Sequence, residues 1–406
     1  MTSPPAPNRA LLACAIAHGV GGGLGWSSLP PLLPRVAGEL GLSHGMGGVV
    51  WGSASLGIAL AAPLGGALVD RLGPRRVAGA ALGLGALACA ARALAVGPWS
   101  LAAAMLAFGV HVGLCSPAIP KLLAAHLPPH RVARCNGLAL LAYTLGSAGM
   151  LVAADPLAEA LGGFRPLSLV IAALLGLAAL AWLLLARDRG ATGAAHGAPL
   201  AAFVALARHP GLRLVGAMHF LLFGSYLAAL GVLPRALVEG GVPADRVGTA
   251  LAAWLCAAAI SNALGPWLSD RLGSRRMFFV AGPVLAALAL GALALSPDRL
   301  GLLLVAAAGG GAVAPLLLSL PLELPGIGPA QAGAALGLLL LVGQLGGAVL
   351  PVAAGALSPY GTPAPLFLLA VLHLLIVLPA LRLGEPRGQG AAATVATTHP
   401  DPAMMV

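Results

Sequence analysis

The sequence predicts an all-α membrane protein in which twelve transmembrane helices form two pseudo-symmetric six-helix bundles. Three observations predict this fold class: the composition, a series of long apolar runs and an internal repeat. Of the 406 residues, 59% are hydrophobic and only 8% are charged, whereas soluble domains carry about 25% charged residues. So few charges cannot cover a soluble particle of this size, which excludes a cytosolic enzyme, an extended coiled coil and a disordered hub.

Apolar runs recur along the chain, each about 20 residues long, which is the length that an α-helix needs to cross a bilayer. The first run is long enough to span, so we expect a transmembrane helix there and not a cleaved signal. The predicted spans are 11–33, 45–66, 76–97, 99–121, 132–154, 166–186, 212–234, 246–268, 277–296, 300–323, 330–354 and 363–383.

The spans divide into two sets of six, separated by the longest polar connector. The chain after the last span is rich in small and polar residues, a composition typical of disorder. The predicted organisation is an N-terminal six-helix bundle at 1–186, a cytoplasmic linker at 187–211, a C-terminal six-helix bundle at 212–384 and a disordered cytoplasmic tail at 385–406.

Arginines near the ends of the spans are distributed unequally between the two sides, and the cytoplasmic side of a membrane protein carries the excess. The larger set is Arg9, Arg71, Arg75, Arg76, Arg131, Arg134, Arg187, Arg189, Arg208, Arg213, Arg271, Arg275, Arg276, Arg382 and Arg387. The smaller set is Arg35, Arg165, Arg235, Arg246 and Arg299. This asymmetry predicts a multi-pass plasma membrane protein, in a bacterial inner membrane, with both termini in the cytoplasm.

The two halves of the chain repeat one another at an offset of 200 residues. Leu33-Pro34-Arg35 recurs as Leu233-Pro234-Arg235, and the D-R-L-G segment that begins at Asp70 recurs at Asp270. Matches of Ala or Leu are expected by chance in this composition, but a repeated D-R-L-G-x-R-R is not. The halves are therefore copies of one six-helix unit, and because six is even, both copies have the same topology.

Two parallel halves related by an axis along the membrane normal are a known plan of transporters. The segment G-G-A-L-V-D-R-L-G-P-R-R runs from Gly65 to Arg76, and G-P-W-L-S-D-R-L-G-S-R-R runs from Gly265 to Arg276. Both resemble the G-x-x-x-D-R-x-G-R-R/K pattern of the major facilitator superfamily. Together with the twelve spans and the central linker, this resemblance covers nearly the whole chain, and it implies the major facilitator fold.

Each copy of this pattern follows an even-numbered helix. An aspartate at a helix end beside arginines can form charge-assisted hydrogen bonds, and glycines let two helices approach closely. The resemblance implies a latch that joins the bundles in the outward-facing state. The simpler alternative is that the arginines only set topology. The latch candidates are Gly65, Asp70, Arg71, Gly73, Arg75, Arg76, Gly265, Asp270, Arg271, Gly273, Arg275 and Arg276.

Ionisable residues inside the spans are functional candidates, because burying them in lipid is costly. The resemblance implies that helices one, four, seven and ten line a central cavity. These helices carry His18, His111, His219 and Glu323. A histidine can carry a proton or bind a substrate, and the alternative is a neutral ring bonded to a backbone carbonyl. Further polar candidates for the cavity are Tyr143, Asn262 and Gln344.

Two of these histidines, His18 and His219, match at an offset of 201 and not 200, so they are not treated as symmetry mates. Arg92, in the peripheral third helix, is expected to reach outward to the headgroups.

Lys121, the only lysine, lies near the cytoplasmic end of helix four, where the helix dipole favours a cation. Glu323 lies at the corresponding end of helix ten, where the dipole disfavours an anion. The repeat places Lys121 opposite position 321, so we expect Lys121 and Glu323 to approach one another across the cytoplasmic mouth. The alternative is that Lys121 reaches the headgroups.

The sequence shows no metal-ligand spacing, no nucleophile motif and no phosphate-binding loop. The five scattered cysteines predict neither a disulfide framework nor a zinc site. We therefore expect no enzyme, no cofactor and no metal, and predict a monomeric, proton-coupled secondary transporter that works by alternating access. Its expected partners are a small-molecule substrate, protons and the lipid bilayer, but no nucleic acid. A non-transporting receptor and a channel-like leak are the alternatives from other classes.

Lys121 and the histidines give the predicted cavity a neutral-to-positive character, which favours a small organic or inorganic anion as the substrate. The stretch from Pro117 to Arg134 is similar to small-anion porters of the cyanate and nitrate type, although the paired arginines of nitrate porters are missing. Drug antiporters of the superfamily carry an acidic residue in helix one and R-x-x-Q-G in helix four. Helix four here reads G-V-H-V-G from Gly109 to Gly113, so drug or metabolite efflux by proton antiport is the alternative.

Overall fold

The computed structural model describes residues 7–188, 200–327 and 329–383. These residues form helices and no strands, and twelve of the helices are long and apolar enough to cross a membrane. This confirms the predicted fold class. The spanning helices are α1 (Asn8–Leu40), α2 (His44–Leu72), α3 (Pro74–Ala93), α4 (Pro98–His126), α5 (Pro129–Leu161), α6 (Phe164–Leu185), α7 (Pro210–Glu239), α8 (Ala244–Leu272), α9 (Arg275–Leu295), α10 (Gly301–Ser319), α11 (Pro329–Leu357) and α12 (Pro363–Arg382).

The two halves use the same pairing of helices. In the first half, α1 packs on α5, α2 on α4 and α3 on α6. In the second half, α7 packs on α11, α8 on α10 and α9 on α12. The pairing of each helix is therefore reproduced six helices later, which is the structural counterpart of the sequence repeat.

Several helices extend beyond the predicted spans. Asp70, Arg71 and Leu72 belong to the last turn of α2, so only Gly73 separates α2 from α3. Gly73 has a φ of +85°, a conformation that glycine adopts without steric cost. The predicted linker contains a short helix, Leu200–Arg208, and the predicted tail at 385–406 lies outside the described residues.

The halves meet at one end of the molecule. We call the end that carries residues 70–76 and 270–276 the basic end, and the opposite end the sealed end. Across the boundary between the halves, α2 packs on α11 and α5 packs on α8. A Cβ at Gly48 of α2 would lie 2.3 Å from the carbonyl oxygen of Pro351, and one at Gly248 of α8 would lie 2.2 Å from that of Leu151. Glycine therefore lets these helices approach to backbone contact at the sealed end.

A hydrogen bond reinforces this seal, because the Trp51 indole Nε1 donates to the Leu227 carbonyl at 2.8 Å. Both residues belong to a buried cluster that contains side chains of both halves. At the basic end, by contrast, each buried cluster contains residues of one half only. One cluster consists of residues within 10–186, and the other two consist of residues within 206–383. The halves therefore pack together at the sealed end and form separate cores at the basic end.

Arg92 does not reach the headgroups, which corrects the expectation from sequence. It is 2% exposed, and its guanidinium Nη1 donates to the Gly25 carbonyl of α1 at 3.4 Å. The side chain points inward because α3 packs against α4 and α6, and position 92 lies on the face of α3 that these helices cover.

Candidate functional site

The separation of the halves at the basic end leaves a crevice between them that closes at the sealed end. The floor of this crevice is formed where α2 meets α11 and α5 meets α8. The charged residues of α1, α2, α5, α7, α8 and α11 lie near the helix ends. The middle of the crevice is therefore lined by uncharged groups, and a solute could enter it from one side only.

One segment of α1, called the π-helical turn below, is not α-helical. Residues Ala17–Leu24, with the sequence A-H-G-V-G-G-G-L, form a π-helix, which holds one residue more per turn than an α-helix and is frequent at functional sites. The corresponding part of α7 is α-helical. This extra residue explains why the repeat offset is 201 at His18 but 200 from Leu33 onward.

Packing against the partner helices shows which residues of α1 and α7 correspond. A Cβ at Gly146 of α5 would lie 2.3 Å from the carbonyl oxygen of Gly19, and a Cβ at Gly346 of α11 would lie 2.2 Å from that of Phe220. Gly19 and Phe220 thus occupy equivalent positions at an offset of 201. The preceding residues, His18 and His219, are therefore symmetry mates, a correspondence that the sequence interpretation did not claim.

His18 lies in the π-helical turn and faces Tyr143 of α5. The two rings meet edge to face, with their centroids 6.3 Å apart. Both side chains are half-buried. The approach of α1 to α5 depends on small residues, because a Cβ at Gly22 would lie 2.8 Å from the Tyr143 ring. The structure thus brings two of the predicted cavity residues together.

His111 and His219 are placed differently from the sequence prediction. His111 is 1% exposed and lies inside the first half, where its Nε2 is 3.4 Å from the Gly21 carbonyl oxygen. His219 is 4% exposed and packs against Gly343 of α11. Glycines at these contacts leave room for the imidazole rings between helices, so both rings are packed inside their own half and do not line the crevice.

Gln344 and Asn262 lie on the helix faces that point toward the opposite half. Gln344 precedes Pro351 by two helical turns, and Pro351 contacts α2 at the seal. Asn262 follows Gly248, which contacts α5, by about four turns. Gln344 is half-buried and its Oε1 is buried without a hydrogen-bond partner among the described residues, whereas Asn262 is exposed. These helix faces place both residues on the wall of the crevice.

The sequence analysis missed a row of aromatic side chains on α7. His219 stacks on Phe223 with a centroid distance of 5.7 Å, Phe223 contacts Tyr226 in a tilted arrangement at 6.1 Å, and Tyr226 stacks on Trp254 of α8 at 5.1 Å. Phe223 and Tyr226 are half-buried. The spacing of four and then three residues along one helix face is the signal that could have revealed this row.

The predicted pair of Lys121 and Glu323 is not formed in this conformation. Lys121 forms an ion pair with Asp70, at the end of α2. Glu323 forms an ion pair with Arg275, at the start of α9, and the same guanidinium donates to Ser319 Oγ at 3.1 Å. The halves are separated at the basic end, so each charge finds its partner within its own half.

The two ion pairs occupy equivalent places with opposite polarity. One partner of each pair lies on the segment that links an even-numbered helix to the next helix, at 70–76 in the first half or 270–276 in the second. The other partner lies at the end of α4 or α10. In the first half the acid, Asp70, lies on this segment and the base, Lys121, lies near the end of α4; in the second half the base, Arg275, lies on the segment and the acid, Glu323, follows α10. This inversion cannot be recognised from the sequence until the structure shows which residues pair.

The other latch candidates also bond within their own halves. The backbone N–H of Arg75 donates to Asp188 Oδ1 at 2.9 Å, and its Nε donates to the Leu183 carbonyl at 3.0 Å. In the second half, Arg276 Nη2 donates to the Leu381 carbonyl at 3.2 Å, and the Arg271 guanidinium lies 4.0 Å from the Trp267 ring centroid. These contacts brace each half, and a latch between halves stays a prediction for the opposite conformation.

The placement of the remaining latch candidates follows the helix boundaries. Gly65 packs against the backbone of Gly113 and Gly265 against that of Ala312, so each lets an even-numbered helix approach its neighbour. Asp270 and Arg76 are exposed, and Gly273 ends α8 with a φ of +67°.

Comparison with known proteins gives one family and several related folds. The sequence pattern of the Major Facilitator Superfamily matches residues 19–351 and 217–400. A curated relative, an uncharacterized 38 kDa protein in the 23S RNA operon of Thermoproteus tenax, is 32% identical over 254 residues. That match covers 57% of this chain and 64% of the relative, so the chain spans less than two thirds of that relative's length.

Two solved structures share the fold at low sequence identity. One is a bacterial homologue of the human lysosomal transporter Spinster, in an inward-facing and unoccupied conformation, with a TM-score of 0.82 and 15% identity over 99% of this chain and 100% of that one. The other is the nucleoside transporter NupG, with a TM-score of 0.76 and 14% identity over 93% of this chain and 98% of that one. At these identities the similarity establishes the fold.

Proposed function

Because this chain belongs to the major facilitator superfamily, we propose that it is a secondary active transporter that moves a small solute by alternating access. The observation that carries this proposal is the crevice, which is open at the basic end and closed at the sealed end by helix contacts across the boundary between the halves. A site that is reached from one side at a time is what alternating access requires. Family membership also supports the prediction that the chain is not an enzyme.

The arginine distribution supports a cytoplasmic location of the basic end. The conformation described here is then the one that opens to the cytoplasm, with both termini on that side of a plasma membrane. In the opposite conformation the basic ends of the two halves close together, and the segments at 70–76 and 270–276 act as the latch between them.

The lining of the crevice favours a neutral polar solute that carries a flat ring. His18, Tyr143 and Gln344 supply hydrogen-bonding groups, and Phe223 and Tyr226 supply partly exposed rings on which a flat ring can stack. The sequence prediction of an anion depended on the neutral-to-positive character that Lys121 and the histidines give the cavity, and on a similarity to small-anion porters. Since Asp70 neutralises the charge of Lys121 at the basic end, an anion is the second candidate.

Glu323 is our candidate for the proton carrier. One of its oxygens accepts a hydrogen bond from Arg275, while the other, Oε2, is buried without a hydrogen-bond partner among the described residues. A proton on this carboxylate would remove its charge and release Arg275. Because Arg275 begins α9, proton binding would loosen the segment that is proposed to form the latch.

Transport can be tested with the purified protein in liposomes that contain a trapped pH-sensitive dye. The panel would comprise neutral nitrogen heterocycles, small carboxylates, inorganic anions, sugars and hydrophobic cations. We expect a pH change inside the liposomes with the heterocycles. The variant Glu323→Gln should lose this pH change but retain exchange of labelled solute, and Glu159→Gln, at an exposed acid of α5, is the matched control.

The outcomes separate the parts of this proposal. A response to anions alone would contradict the neutral solute and support the sequence prediction, and a response to hydrophobic cations alone would indicate drug efflux. An unchanged pH response in Glu323→Gln would contradict the role of Glu323. If no solute moved and none stabilised the protein against heat, transport itself would be contradicted.

A further inference from the structure

Arg92 is a buried cation that has no acidic partner among the residues that the structure describes. The residue is 2% exposed, and an arginine side chain stays protonated in proteins. None of the ion pairs formed by the described residues includes Arg92. Burying an ion without a partner costs several kcal/mol, so we expect another group to compensate the charge of Arg92.

The contacts of the Arg92 guanidinium use only some of its hydrogen-bond donors. Nη1 donates to the Gly25 carbonyl of α1 at 3.4 Å, and the group lies 5.7 Å from the ring centroid of Phe108. Arg92 also lies in the last turn of α3, where the helix dipole favours a cation. However, Nε and Nη2 are both buried without a hydrogen-bond partner among the described residues. Two donors of a buried cation are thus unused.

A small cavity adjoins this cation near the sealed end of the first half. Its polar lining consists of Arg92, Ser28 and Ser168, and its apolar lining consists of Leu29, Leu32, Phe164, Leu167 and Ile171. The cavity has room for roughly one water molecule or one ion of similar size. Its walls contain no acidic side chain, so whatever occupies it meets a positive charge in an apolar surrounding.

We propose that this cavity binds one small monovalent inorganic anion, of the size and charge of chloride. Nε and Nη2 of Arg92 would donate hydrogen bonds to it, and the Ser168 hydroxyl would supply a third donor. The Ser28 hydroxyl already donates to the Gly25 carbonyl at 2.9 Å, so it closes the wall of the cavity. A water molecule could satisfy the donors but would leave the charge uncompensated, and a tetrahedral oxyanion exceeds the space.

The bound anion would join three helices at the sealed end. Arg92 is on α3, Ser168 is on α6, and the Gly25 carbonyl that Arg92 contacts directly follows the π-helical turn of α1. An anion held between them would therefore stabilise the first half beside the candidate solute site. Its binding is separate from transport, because the cavity lies inside one half and not in the crevice.

The thermal unfolding midpoint of the full-length protein tests this proposal. Sodium chloride is compared with sodium gluconate at equal ionic strength, and bromide serves as a second probe. We expect chloride and bromide to raise the midpoint in a saturable way, because both bind the folded state. A bromide peak beside Arg92 in an anomalous difference map would locate the ion.

Two variants and one control make the result specific. Arg92→Met removes the charge while keeping most of the side-chain volume, and it should abolish the chloride response and unfold at a higher temperature than the wild type in gluconate. Ser168→Val fills the cavity, keeps Arg92 and should also lose the response. Arg299→Met, at an exposed arginine, should respond as the wild type does.

A wild-type midpoint that is the same in chloride and gluconate would overturn the proposal. A chloride response that survives in both Ser168→Val and Arg92→Met would place the ion elsewhere and would also overturn it.

Discussion

The contact between Gly48 of α2 and Pro351 of α11 closes the sealed end, and the substitution Gly48→Ala tests how strongly it does so. A Cβ at position 48 would lie 2.3 Å from the Pro351 carbonyl oxygen and 2.8 Å from the Val352 Cα. Ordinary van der Waals contact begins at 3.4 Å, so the overlap with the oxygen is 3.4 − 2.3 = 1.1 Å. Both neighbours are backbone atoms, which cannot rotate away as a side chain would.

The size of the effect follows from this overlap. Adding a methyl group to a well-packed contact costs about 1–3 kcal/mol. The penalty falls only on the conformation in which α2 and α11 touch, so the ratio of this conformation to the opposite one should decrease about 5–150-fold. Gly47→Ala is the matched control on the same helix, because a Cβ at Gly47 would meet no atom within 4 Å.

Spin labels on the sealed side of each half would measure the shift. Val96 and Tyr360, which are 88% and 81% exposed, provide label sites in the first and second halves, on a background without the native cysteines. We expect a longer distance to gain population in Gly48→Ala and not in Gly47→Ala. If both variants gave the wild-type distance distribution, the close approach at Gly48 would not be what holds the sealed end closed.

Two further predictions concern the ion pair at the basic end and the π-helical turn. Lys121→Asp should lower the thermal unfolding midpoint, and the loss in the free energy of unfolding should be about 1 kcal/mol or less because both partners are about one third exposed. Adding Asp70→Lys should recover most of this loss. An equal loss in the double variant would contradict the pairing. Deletion of Gly22 should convert the π-helical turn to an α-helical one, moving His18 by about 1.5 Å and 100° relative to the later part of α1. Helix content by circular dichroism should be kept while solute uptake falls, and uptake at the wild-type rate would contradict a role of this turn in the site.

Much of the fold could be predicted from local patterns. The spans were found because a bilayer requires about 20 apolar residues in a row, and the two halves were found because D-R-L-G-x-R-R recurs at a fixed offset. Helix ends were less certain, since helices here continue beyond the apolar stretch. The last turn of α2, which carries Asp70 and Arg71, is polar and still helical.

The candidate site was predicted only in part. His18, Tyr143 and Gln344 were identified by their polar character inside apolar spans, and they lie on or near the crevice. His111 and His219 have the same character but are packed within their own halves, because glycines on neighbouring helices leave space for their rings. Which side of a helix is covered depends on its neighbours, and no single-helix pattern contains that information.

The sequence by itself determined that this chain has twelve spans, two repeated halves and a basic side, because hydropathy, repetition and charge are properties of residues in order along the chain. The tertiary structure decided which residues meet. It paired Lys121 with Asp70 and Glu323 with Arg275, buried Arg92 beside a cavity, and aligned His18 with His219 through one π-helical turn. These outcomes depend on how closely two helices approach and which faces they turn to each other, and glycines from distant parts of the chain set that approach.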